Sequence, residues 1–256
     1  QGHLKTRLAR YRQNVGAEPK KLAPGKPAEK LLPKSLKAAL EGAMVQHPAI
    51  IAAQHGVDAA ELAVKVSEAD LYPTLGLTGT LSKRYDFNSP RDERLTASAV
   101  ATLTIPIYEG GAVYSKTRQA KETAGQRRIE VDTQRDTVRA AVVSAWGGLE
   151  AAKAQIEAAQ AQVKAAETAL NGVREEAKVG QRTTIDVLNA QQVLLTARST
   201  LVTAQRDRVV ASYAVLSATG RLSARTLSLK VAAFDPRRHY DQVRDKWWGL
   251  QTPDGR

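Results

Sequence analysis

The chain has 256 residues, of which 43% are hydrophobic, 25% charged and 5% aromatic, and it contains no cysteine. Such a composition fits one or two folded domains built from long alanine-rich helices rather than a thick globular core. It excludes thiolate metal sites and disulfides, and the net charge of +12 raises the question of nucleic acid.

The charge is unevenly placed. Residues 1–37 hold ten Lys or Arg against Glu18 and Glu29. These bases sit in a Pro- and Lys-rich stretch without interleaved aromatics, which reads as a solvated linker and argues against a nucleic-acid partner. No run reaches the roughly 20 apolar residues of a membrane-spanning helix. The chain does not begin with Met, and Leu4, Leu8 and Tyr11 keep helical spacing up to Gly16. Residues 1–16 therefore read as the end of a preceding helix, and the sequence as a piece of a longer chain.

Residues 17–34 form the linker, broken by Pro19, Pro24, Gly25, Pro27 and Pro33. A helical segment follows over 35–71, with Ser35 as N-cap. It is interrupted at His47-Pro48, because the residue before proline avoids the α region and proline suits a first helical position. Ile51, Val57, Leu62 and Val66 are expected on the apolar side of its second helix.

The periodicity then changes from helical to two. Leu75, Leu77 and Leu81 alternate with Thr74, Gly76, Thr78, Thr80 and Ser82. Leu95, Ala97, Ala99, Ala101, Leu103, Ile105 and Ile107 alternate with Thr96, Ser98, Thr102 and Thr104, Val100 being the exception. These are two strands of about ten residues within 72–108, joined by a charged connection over Lys83–Arg94. Either they are half-buried in a soluble sheet, or apolar residues face lipid and hydroxyls a wet lumen. Tyr72 and Tyr108 flank the pair at one end, where an interfacial girdle would lie. Pro73 and Pro106 mark where sheet pairing stops, and Gly110-Gly111 permits a bend. Two strands cannot satisfy their own edges, so they must join strands from elsewhere.

Residues 112–219 read as two long helices folded back at a tip near 179–186. On the first, Val142, Leu149, Ile156, Val163, Leu170 and Ala177 recur every seven residues, each of the first five followed three later by Ala145, Ala152, Ala159, Ala166 or Val173. On the second, Val187, Leu194, Leu201 and Val215 are interrupted at Arg208 and partnered by Ala190, Ala197, Ala204, Ala211 and Ala218. This is a coiled-coil seam, large at a and small at d. Each helix carries a second row: Ser144, Ala151, Ala158, Ala165 and Gly172 on one, Leu188, Leu195, Val202, Val209 and Leu216 on the other. Two seams per helix suggest neighbours on both sides, as in a closed ring; a solitary long coiled-coil hairpin is the equally open reading of this stretch alone. The first helix, roughly 65 residues, is about 100 Å long. The tail, 220–256, holds Phe234, Tyr240, Trp247 and Trp248, which are expected to pack against the helices.

Three motifs fall in order: Leu71-Tyr72-Pro73-Thr74-Leu75, Pro106-Ile107-Tyr108-Glu109-Gly110-Gly111, and Val179-Gly180-Gln181-Arg182-Thr183-Thr184-Ile185-Asp186-Val187-Leu188. Over about residues 35–222 the chain resembles the TolC family of outer-membrane efflux and secretion channels, matching the second of that family's two internal repeats. The resemblance implies a mainly α fold with a membrane β-hairpin. Long antiparallel coiled-coil helices would form part of a periplasmic α-barrel, and the strands part of a trimeric outer-membrane β-barrel. It implies a homotrimer that acts as a passive exit duct, with a periplasmic adaptor (membrane fusion) protein, an inner-membrane transporter and outer-membrane lipid as partners. On this reading Leu75, Leu77, Leu81, Leu103 and Ile105 face the membrane. Val179, Gly180, Gln181, Arg182 and Thr183 contact the adaptor at the tip, and Arg182, Asp186 and Asn189 line the periplasmic entrance. Three copies of Asp186 would form a carboxylate ring, and Arg182, taken to share its helical face, would pair with an acid on a neighbouring helix or else locally with Asp186 as an i,i+4 pair. Two positions depart from the family's best-known channel: Asn189 replaces a second entrance aspartate, and Ala177 a bracing tyrosine.

The competing reading is an interaction protein, either a periplasmic adaptor or a soluble coiled-coil scaffold. Adaptors flank their hairpin with compact β-domains and do not insert an amphipathic strand pair. An enzyme is not indicated. His3, His47, His55 and His239 show no ligand spacing, no phosphate-binding glycine loop is present, and nothing calls for a cofactor or metal. Glu175-Glu176 beside Arg182 reads as a charged helix face rather than an acid/base pair.

Overall fold

Alanine, glutamate, glutamine, lysine and arginine dominate residues 112–218, and no proline interrupts them, so helix is the locally favoured state there. The computed structural model describes residues 2–19, 25–85, 93–231 and 235–249. In chain order these form α1 (Gly2–Val15), a 3-10 turn (Glu29–Leu31), α2 (Leu36–Gln46), α3 (Pro48–Ala69), β1 (Thr74–Tyr85), β2 (Glu93–Thr104), α4 (Ala112–Lys178), α5 (Thr184–Ala218) and α6 (Pro236–Val243). The fold is mainly α with one strand pair, as the sequence implies. No helix among the described residues is long and apolar enough to cross a membrane. The chain divides into two units, residues 44–139 and residues 1–43 with 140–256. Helix α4 contributes to both.

In the unit of residues 44–139, His47 caps α3 with its own side chain. Its Nδ1 accepts from the Ala49 amide at 3.2 Å, and Pro48 opens the helix. Helix α3 then runs antiparallel to the first part of α4, through Asp70–Lys116 (2.6 Å), Glu68–Lys121 (3.3 Å) and Glu61–Arg128 (2.7 Å). The inward face of α3 is Ile50, Ala53, Val57, Ala60, Val64 and Ser67, itself a heptad pair of rows. The expected apolar side is therefore corrected: Ile51, Leu62 and Val66 are exposed. Along α4, Thr117, Ala124, Val131 and Val138 are buried and extend the Ala145 series back by four heptads. The companion positions Lys121, Arg128 and Arg135 are charged, which hides this seam from a hydrophobic count.

The strands pair antiparallel, with Thr74 opposite Thr104 and Tyr85 opposite Glu93. Both are 12 residues long, so the expected Lys83–Arg94 connection is partly strand. Lys83 and Glu93 bridge diagonally at 2.7 Å, a cross-strand ion pair that extends the ladder. Ile105 and Ile107 lie beyond β2 instead of within it, because Pro106 has no amide to donate. The bend into α4 places both Gly110 and Gly111 at positive φ, +61° and +82°, a conformation that side chains with a Cβ resist.

In the other unit, α5 folds back along α4, and Arg198 meets Glu167 at 2.7 Å. Val142, Leu149, Ile156, Ala159, Ala166 and Leu170 of α4 and Ala197, Ala204 and Val215 of α5 are buried. This is the first seam. The second row of α4 is exposed along its whole length. On α5 the second row is bare near the tip, with Leu188, Leu195 and Val202 exposed by 58%, 63% and 65%, and fully buried at Leu216.

Two expectations for this unit are overturned. Residues 25–33 are not simply a solvated linker: the Ala28 amide donates to Ser212 Oγ at 3.1 Å, and Glu29 pairs with Arg208. The tail aromatics do not pack on the helices. Tyr240, Trp247 and Trp248 are all exposed, because α6 is a single strongly polar eight-residue helix with no buried face. Phe234 lies outside the described residues.

Candidate functional site

Two features carry chemistry relevant to transport. The first is the strand pair, whose register sorts the side chains by face with Val100 as the exception. Leu75 faces Leu103, Leu77 faces Ala101, Gly79 faces Ala99 and Leu81 faces Ala97 on one side. Thr74, Gly76, Thr78, Thr80 and Ser82 face Thr104, Thr102, Val100, Ser98 and Thr96 on the other. One face is hydrocarbon and the other is hydroxyl, broken by Val100. Both are open in this chain: Leu75, Leu77, Leu81 and Leu103 are each exposed by 60% or more. No further strand pairs with either edge among the described residues. Ile105 is exposed but sits past the ladder's end.

The second feature is the tip, which is built from two interlocked caps. Helix α4 ends at Gly180 with φ +78°. The Gln181 amide donates to Glu176 O at 2.9 Å, and the Gly180 amide to Ala177 O at 3.1 Å. That is a Schellman closure, and it asks for glycine at the left-handed position. Three residues on, Thr183 caps α5. Its Oγ1 accepts from the Asp186 amide (3.3 Å), while Asp186 Oδ2 accepts from Thr183 N and Oγ1 (both 2.9 Å). This is a reciprocal capping box. Its signature, Thr183-x-x-Asp186, stands in the sequence, where the entrance reading of Asp186 masks it.

Arg182 is not on a helix, so it cannot share a helical face with Asp186. It lies in the turn, and its Nε donates to Glu176 Oε2 at 2.8 Å. The partner is thus an acid of the same hairpin, one of the pair that reads as a plain charged face. Glu176 holds the guanidinium pKa above its ordinary value, first through that hydrogen bond and then through its charge, with Asp186 adding to it. The Asp186 carboxyl is held below its ordinary value, chiefly by the Thr183 amide, then by the Thr183 hydroxyl. Within one chain the cap therefore lowers this pKa, whereas a threefold carboxylate ring pushes the other way. Asn189, Val179 and Gln181 are exposed around this turn.

The consequences are measurable. Thr183→Ala should destabilise the start of α5 by about 1 kcal/mol. Because the folded Asp186 pKa is lowered, the cap's contribution is full above the ordinary carboxylate range and lost as pH falls through the folded value. Protection of the tip amides, taken as the exchange rate relative to the intrinsic rate at each pH, should therefore hold at neutral pH and fall only in acid. Unchanged exchange in Thr183→Ala would contradict the cap.

An amphipathic strand pair open at both edges, inserted between long heptad-patterned helices, defines the class by fold: a mainly α chain with one β-hairpin whose edges and outer helix rows are left uncovered within the chain. Comparison with known proteins agrees. A family model described as outer membrane efflux protein matches residues 39–221, and the chain belongs to that family. The outer membrane efflux protein BepC of Brucella suis is 48% identical over 254 residues, covering 99% of this chain and 56% of BepC. The alkaline protease secretion protein AprF of Pseudomonas aeruginosa is 28% identical over 207 residues, 80% of this chain and 43% of AprF. The open-state MtrE outer membrane channel of Neisseria gonorrhoeae superposes with a TM-score of 0.65 at 20% identity, over 84% of this chain and 50% of that one. The last likeness establishes the fold. The chain spans about half the length of the relatives it matches. Family membership puts it in the bacterial outer membrane, with its helices on the periplasmic side.

Proposed function

We propose that this chain is part of a passive exit duct for efflux or type I secretion, assembled as a homotrimer and carrying no catalytic step. The observation that carries this is the strand pair with one hydrocarbon face, one hydroxyl face and two open edges. Such a pair is marginal alone in water. Lipid on one side, a wet lumen on the other and further strands at the edges satisfy all of its groups. The bare second row of α4 and the bare tip-proximal part of the second row of α5 support the same closure among the helices. On this reading Leu75, Leu77, Leu81 and Leu103 lie against lipid, with Ile105 at the boundary. The tip is the periplasmic entrance. Arg182, Asp186 and Asn189 line it, while Val179, Gly180, Gln181, Arg182 and Thr183 meet a periplasmic adaptor that joins the duct to an inner-membrane transporter.

The test is the native mass of the full-length protein extracted from membranes. Extraction that requires detergent and a mass of three subunits are expected. A protein that stays in solution as a monomer without detergent would instead be a scaffold.

A further inference from the structure

Arg208 stands where the first seam of α5 asks for a large apolar residue, between Leu201 and Val215. Its Nε is buried with no hydrogen-bond partner, while its Nη2 pairs with Glu29. Beside it, Ser212 Oγ, on a fully buried residue, accepts from the Ala28 amide. A Cβ on Gly25 would lie 3.5 Å from Val209 Cγ1. Pro27, Ile156, Val202, Arg208 and Val209 line one cavity of about 460 Å³. Two hydrogen-bonded contacts, with Gly25 lying close to Val209, thus hold residues 25–29 across α5 where its second row changes from exposed to covered. Near the tip, Leu188, Leu195 and Val202 are bare; Val209 is half-buried and Leu216 is fully buried.

We infer that the Arg208–Glu29 pair is a latch that lays residues 25–33 over the distal part of the α5 outer seam. The latch thereby marks where the neighbouring helix of the assembly must stop. The seam has two occupants: a neighbouring helix over Leu188–Val202, and the chain's own strap at Val209. A charged residue at a seam position normally weakens the coil and sets register. Here its charge is answered by the strap, not by another helix, so a leucine at 208 would strengthen the coil while freeing the strap. The claim rests on the channel reading for the first occupant and on intrachain contacts for the second.

The chain has no cysteine, so single thiols introduced into it, in a full-length protein otherwise free of reactive thiols, separate the two in the assembled state. With Leu195→Cys or Val209→Cys as reporters, both thiols should label slowly in the parent background. Adding Glu29→Gln or Arg208→Leu should speed Val209→Cys labelling about three- to tenfold, as expected for losing one partly buried charged contact. Leu195→Cys should not change. The charge swap Glu29→Arg with Arg208→Glu should restore protection at 209, which a general loosening of the coil would not do. Protection at 209 that ignores Glu29 and Arg208 would overturn the latch. Fast labelling at 195 in every background would instead remove the neighbouring helix, and with it the channel reading, while leaving the strap intact.

Discussion

Arginine at position 77 is expected to cost the lipid-embedded protein about 2–4 kcal/mol, and arginine at position 78 much less. The two residues are adjacent, yet Leu77 shares a face with Ala101, and Thr78 shares the other with Val100. Near mid-strand, a guanidinium on the hydrocarbon face must be desolvated or reach far to water; on the hydroxyl face it meets the lumen. Both sites are open in the single chain, so neither substitution removes a packed core contact and the difference isolates the surroundings. Denaturant titration of the channel folded into phospholipid vesicles reads it directly. Equal costs at 77 and 78 would remove the membrane assignment of the strands.

Leu195→Asp is expected to abolish assembly while leaving the hairpin folded. Leu195 is 63% exposed, so its replacement leaves almost no intrachain cavity. In the assembly the same position would bury an unpaired carboxylate against a neighbouring helix, which costs several kcal/mol in each copy. Thr196→Asp, an exposed site about 100° around the helix from Leu195 and outside both rows, serves as the control and should assemble normally. Native mass should shift from three subunits to one for Leu195→Asp alone, with helical content by circular dichroism unchanged. A trimer that survives Leu195→Asp would mean that the second row of α5 is solvent-facing in the working protein.

Much of this architecture is written in the spacing of residues. The heptad rows of 142–215 and the alternation of 74–104 follow from burial with fixed periods, and periods survive in a bare sequence. Contacts that depend on what is opposite do not. Lys121 and Arg128 disguised the first half of the α4 seam because their partners, Glu68 and Glu61, lie on another helix. Arg208 was visible as a break in register, but Glu29, which answers it, is 179 residues away. At the tip the difficulty was different. Thr183 and Asp186 carry a local capping signature that an entrance role for Asp186 masks, and the i,i+4 spacing of Arg182 and Asp186 suggests one helix although Gly180 ends one and Thr183 begins the next. The tail misled through composition: Trp247 and Trp248 suggest burial, yet the short polar helix before them offers no face to carry them inward.

The central claim is a conducting duct whose narrow end is this tip. Single-channel recording of the full-length oligomer in a planar lipid bilayer tests it most directly. Asp186→Asn removes the charge but keeps an oxygen for the Thr183 cap, so it separates electrostatics from folding. Discrete conductance steps with cation preference are expected from the parent, a weaker preference and weaker block by multivalent cations from Asp186→Asn, and a larger conductance from Arg182→Ser, which releases Glu176. A stable oligomer that passes no current, or variants that match the parent in both conductance and selectivity, would contradict it.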